Sequence, residues 1–149
     1  MRALLRPLAV AAALAAAAAA PGQVTTRIAS DAPIVNFRLP TFTAEGHREW
    51  LVRGSEARMP SLQEVDVREL TLTIFTGDAS ERIDTMILSP VAKVLPEQQL
   101  VAGPEAIRVL NDEFEASGAD WSYDHRAKRI SIRKDVRVAF RAELKNLLQ

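Results

Sequence analysis

The sequence predicts an all-β fold, and three observations carry that expectation. Apolar and polar residues alternate with a period of two from Pro33 to Phe140. The alternating segments are short and are punctuated by Gly, Pro and Asp. Nothing in that span sustains the 3.6-residue stripe of an amphipathic helix. Short period-two runs spaced at roughly 8–12 residues and bounded by turn residues mark a sandwich, a jelly roll or a barrel.

The elements follow in order. Residues 34–39 alternate and stop at Pro40, and Trp50-Leu51-Val52 follows a Glu45-Gly46 turn and ends near Gly54. Val65-Asp66-Val67 and residues 70–74 read as one long strand whose phase slips at Arg68-Glu69, as a β-bulge would make it. After Gly77-Asp78, residues 83–88 form a strand that Ser89-Pro90 stops, and residues 91–95 form another that ends at Pro96. Residues 99–102 lead to Gly103-Pro104, Ile107-Arg108-Val109 follows, and residues 113–116 precede Gly118. Trp121-Ser122-Tyr123 ends at Asp124-His125, and Ile130-Ser131-Ile132 and residues 136–140 close the series. Residues 141–149 suit a short helix with Leu144, Leu147 and Leu148 on one side.

The ends and the composition bear on compartment and partner. Arg2 and Arg6 flank Leu4 and Leu5, and residues 7–20 carry no charge and end in small residues, including Ala17 and Ala19. That is the layout of a secretory signal, and it falls short of the roughly 20 apolar residues of a spanning helix. Residues 1–20 are therefore expected to be a signal peptide, with an N-terminal anchor as the alternative, and residues 21–33 a flexible lead-in. The chain has no cysteine, so disulfides and thiolate metal sites are excluded. Its 19 basic and 19 acidic residues cancel. Loss of Arg2 and Arg6 with the leader leaves 17 against 19, a net charge of −2, which argues against nucleic acid as a partner.

Motifs for catalysis are sparse. The two histidines, His47 and His125, both read as turn residues, and neither has a third metal ligand at a fixed spacing. No serine sits in a Gly-x-Ser-x-Gly turn, and the six glycines are scattered singly, which excludes a phosphate loop. The pairs Asp112/Glu113 and Asp120/Asp124 could do acid/base work, but residues 111–115 read better as a charged turn and Asp124 as a hairpin's turn position. Arg129, Arg133, Arg137 and Arg141 share one strand parity, which suits an anionic partner or a solvated face. No catalytic residue, metal or cofactor is expected. What remains is apolar: Phe37, Leu39, Trp50, Val52, Leu70, Leu72, Ile74, Met86, Leu88, Ile130, Ile132, Val136 and Val138 would line the space between two sheets. They suit either a closed core or a groove for acyl chains.

The run Gly118-Ala119-Asp120-Trp121-Ser122-Tyr123-Asp124, followed by Lys128-Arg129-Ile130-Ser131-Ile132 and Asp135-Val136-Arg137-Val138, resembles the last repeats of the periplasmic lipopolysaccharide-export proteins LptC and LptA and the OstA-like domains. Phe37-Arg38-Leu39-Pro40 and residues 50–58 are similar to the family's opening, and residues 69–75 and 88–92 to its middle. The resemblance covers residues 34–140. Ile130 and Ile132 stand where leucines are usual and Asp135 where Asn is common. LptC-like is favoured over LptA-like, although the leader looks cleavable where LptC proteins keep an anchor.

The resemblance implies a β-jelly roll of two facing antiparallel sheets with an open, V-shaped section. It further implies a periplasmic relay that holds lipopolysaccharide acyl chains in the apolar groove and passes them towards the outer membrane. Partners would be other jelly-roll domains of the export system, joined edge to edge, and the inner-membrane transporter. No chemistry would occur on the domain itself. The alternative is a closed β-sandwich scaffold or interaction domain of the envelope without lipid cargo.

Overall fold

The structure is a computed structural model and describes residues 32–141. Its elements are β1 (Ile34–Phe42), β2 (Arg48–Ser61), β3 (Glu64–Phe75), β4 (Ile83–Leu95), β5 (Leu100–Asn111), β6 (Phe114–Asp124) and β7 (Arg129–Phe140). All seven strands form one open antiparallel sheet in chain order, each hydrogen-bonded to the next. The described residues contain no helix, and the all-β expectation holds at that level. The expected leader, most of the lead-in and the expected helical tail lie outside the described residues.

The strands are fewer and longer than the sequence suggests, with 9 residues in β1 and 11 to 14 in the others. Pro40, Gly54, Ser89-Pro90, Gly103-Pro104 and Gly118 were each expected to end a strand, yet they lie inside β1, β2, β4, β5 and β6. In β2 and β4 the reason is a kink that β1 to β4 share, whereas Pro40 lies away from it and is tolerated because β1 is an edge strand. Asn36, Ser55, Glu69 and Pro90 fall in one row across the four strands, and the pairing keeps its register on both sides of that row. At the row the in–out alternation changes phase. Trp50 and Val52 are buried before it in β2 and Ala57 after it, while β3 buries Val65 and Val67 before it and Leu70, Leu72 and Ile74 after it.

Asn36 and Glu69 take left-handed φ angles of 54° and 50° there, so two successive residues can face solvent. The phase slip expected at Arg68-Glu69 is thus present. It needs no inserted residue in β3, because its neighbours slip at the same level. From β4 onward the ladders do shift register, between Leu88 and Lys93, between Gly103 and Ala106, and between Ser117 and Ala119. These are bulges, which bend a strand and increase its twist.

Close approach explains why glycine stands at the bends. A Cβ on Gly103 would lie 2.7 Å from both Trp121 Nε1 and the Val91 carbonyl oxygen. One on Gly54 would run into the Val67 side chain and stand 2.9 Å from the Arg68 carbonyl oxygen.

Bent along this line, the sheet curls over its own inner face. Trp50, at the start of β2, stacks on His125, just past β6, with ring centroids 5.3 Å apart and planes 5° from parallel. β2 and β6 are not neighbours in the sheet, so only curling brings the rings together. Leu72, Ile87, Val94 and Val101 are completely buried inside. Each such side chain contributes about 1.5–3 kcal/mol.

Candidate functional site

The inner face collects most of the apolar residues singled out by the sequence. Trp50, Val52, Leu70, Leu72 and Ile74 are buried in it, and Phe37, Leu39, Ile130 and Ile132 pack half-buried against it. Met86 and Leu88 do not belong to it. Ile87 between them pairs with Leu72 and is buried, which puts Met86 and Leu88, half-buried, on the opposite face. Three consecutive apolar residues leave a strand's parity ambiguous, and the core position of Leu72 decides it.

On β7 the inner face loses its cover. Val138 pairs with buried Ala116, yet it is 49% exposed, Val136 is 52% exposed and Phe140 is 76% exposed. At the opposite edge of the sheet, Ile34 of β1 pairs with buried Ala57 and is itself exposed. The apolar inner surface therefore runs from a sealed centre out to both free edges.

One end of this surface is held shut by a polar clasp. His125 is 1% exposed. Its Nδ1 lies 2.8 Å from the Tyr123 hydroxyl and its Nε2 lies 2.8 Å from Glu49 Oε1. The tautomer with its proton on Nε2 satisfies both contacts, donating to the carboxylate and accepting from the phenol. The Lys128 ammonium stands 3.1 Å from Nε2, and Trp50 covers the ring face. Burial, with the carboxylates of Asp84, Glu49 and Asp124 adding to it, pushes the Tyr123 hydroxyl well above its ordinary pKa. Trp50 Nε1 is buried without a hydrogen-bond partner. A second polar link crosses the bend, where Trp121 Nε1 donates to Ser89 Oγ at 3.2 Å and Ser89 Oγ donates to the Ala106 carbonyl at 2.7 Å.

His125 does sit in the turn the sequence assigns it, but its ring is buried where a turn histidine is ordinarily solvated. Its signal was present as Trp121, Tyr123 and His125 at intervals of two, three ring-bearing residues on one side of a strand. Asp112 and Glu113 lie in the β5–β6 turn and Asp124 opens the β6–β7 turn, as expected, whereas Asp120 lies inside β6. Asp124 Oδ1 accepts from the Ala127 amide at 3.1 Å, Asp120 pairs with Arg133 at 3.4 Å, and Asp112 and Glu113 are exposed between β5 and β6. Arg129, Arg133 and Arg137 are exposed on β7, and Arg141 lies 3.8 Å from Glu115. Among the described residues no group of three or more His, Asp or Glu is placed to hold a metal ion, and no helix is long and apolar enough to cross a membrane.

Fold and site together define an all-β protein whose single curled sheet carries an apolar inner face, clasped at one end and uncovered along its last strand. No protein-family model matches the chain, and neither does any curated protein sequence.

Proposed function

We propose that this chain is a periplasmic lipid-binding relay of the LptC/LptA kind, LptC-like rather than LptA-like. In this reading the curled sheet works as a jelly roll of two facing leaves with a V-shaped opening. Acyl chains of lipopolysaccharide, or of a similar lipid, lie along the apolar inner face. Other jelly-roll domains and the inner-membrane transporter dock edge to edge, and the domain performs no chemistry. The observation that carries the proposal is the uncovered inner face of β7, where Val136, Val138 and Phe140 continue a buried apolar surface into solvent. An acyl chain laid there gains roughly 0.8 kcal/mol per buried methylene without needing a polar ligand.

A photo-crosslinking residue at Ile132, Val138 or Phe140 should form adducts with lipopolysaccharide in the envelope, and native purification should retain acyl lipid detectable by mass spectrometry. Absence of adducts at all three positions sinks the reading. The closed scaffold has its own support in the complete burial of Leu72, Ile87, Val94 and Val101. It predicts purified protein free of lipid.

A further inference from the structure

The outer face carries an arrangement that neither the core nor the lipid reading uses. Arg38 of β1 and Arg53 of β2 are directly opposite each other in the ladder. Directly opposed residues have Cβ atoms about 5 Å apart, and like charges so placed repel. Both side chains are exposed, and neither forms an ion pair or a side-chain hydrogen bond among the described residues. They are not merely adjacent to open solvent. With Asn36, Ser55, Glu69 and Thr71 they line one depression at the kink row, where the left-handed φ of Asn36 and Glu69 lets the outer surface sink. Arg58, Arg108 and Arg133 have carboxylate partners, and of the exposed arginines without one, Arg38 and Arg53 are the two that the ladder sets directly opposite each other.

We propose that Arg38 and Arg53 form an oxyanion site for a phosphate group, with the Asn36 amide and the Thr71 hydroxyl as further donors. Two guanidinium forks at this spacing suit one tetrahedral anion, whose oxygens accept charge-assisted bonds from both. The bound anion also removes the repulsion between them. Glu69 is the opposing group. Its carboxylate lines the same depression and lowers affinity, so the site is tuned to be weak and reversible. A phosphate monoester in solution and a phospholipid head group offer the same chemistry, and edge strand β1 leaves the depression open to either.

The test titrates the full chain and its variants with inorganic phosphate, following the arginine Nε–H resonances. In parallel it measures flotation with vesicles of phosphatidylglycerol in phosphatidylcholine. Arg38→Gln and Arg53→Gln should each weaken binding about tenfold, and Glu69→Gln should strengthen it. Binding of phosphate in solution points to a free ligand, and binding to the anionic vesicles alone points to a head group. Both support the site. Arg82→Gln, at an exposed arginine outside the depression, makes the same charge change elsewhere and should leave binding intact. Equal loss with Arg82→Gln, or no response to phosphate and vesicles alike, overturns the proposal. Folding is checked independently, because relief of like-charge repulsion should leave the thermal midpoint of Arg53→Gln unchanged or slightly raised.

Discussion

The start of β2 and the end of β7 lie on the same inner face, yet they are finished in opposite ways. At the start of β2, Trp50 is 2% exposed, stacked on His125 and flanked by the Glu49–His125–Tyr123 chain. At the end of β7, Val138 and Phe140 stand next to Ala116 and Phe114 and are 49% and 76% exposed. The difference is one of neighbours rather than composition. β2 lies inside the sheet, where curling brings the β6–β7 turn down onto it. β7 is the last strand of the described residues and pairs among them with β6 alone. A single sheet that closes on itself by curling covers its middle and leaves an edge bare.

That contrast is broken most severely at the centre. Leu72→Asp places a charge in a completely buried position and should cost about 3–5 kcal/mol, enough to unfold a domain of ordinary stability. Val138→Asp should move the urea midpoint only slightly, because that side chain already meets water. Equal losses at the two sites would mean that β7 is covered in solution.

The clasp comes next. His125→Ala removes the ring stack and strands Glu49 and Tyr123, with an expected loss of about 2–4 kcal/mol in denaturant unfolding. Ala substitution at His47, which lies in an exposed turn and bonds through its backbone to Thr43, should stay within about 0.5 kcal/mol of the parent.

The pH response is smaller. Burial first, and nearby carboxylates second, raise the Tyr123 pKa above its ordinary value. A hydroxyl whose folded pKa exceeds its unfolded value of about 10 gives stability that is present below that pH and lost as the pH rises towards the folded value. Denaturant midpoints should fall above about pH 10 in the parent and fall less in Tyr123→Phe. A parallel decline in both proteins would place the alkaline sensitivity elsewhere.

Much of this architecture is legible in the chain. Period-two alternation yields the strand class, and the phase slip at Arg68-Glu69 marks the kink. The number of strands is not legible, because Gly54, Pro90 and Gly103 look the same in a sequence whether they end a strand or bend one. Which they do depends on the neighbouring strand, through contacts such as that between Gly103 and Trp121. His125 was hidden for a related reason. Its partners Glu49 and Trp50 come from a distant part of the chain, and only the curl of the sheet brings them together. Met86 and Leu88 were misplaced because the alternation lapses around Ile87, and the register with Leu72 settles the side.

The strand order has a consequence for how the molecule is made. Each strand pairs only with its neighbours in the chain, so every ladder closes through one short turn and none waits for a distant segment. Loop-closure entropy stays low at each addition, and low sequence separation between partners favours fast folding. The sheet can therefore be laid down from β1 to β7 as the chain becomes available. The Glu49–His125 contact, the most distant pairing in sequence among the ion pairs described, forms only when β6 is in place. It acts as the fastener at the end of assembly, and a chain truncated before Tyr123 should assemble strands that never lock.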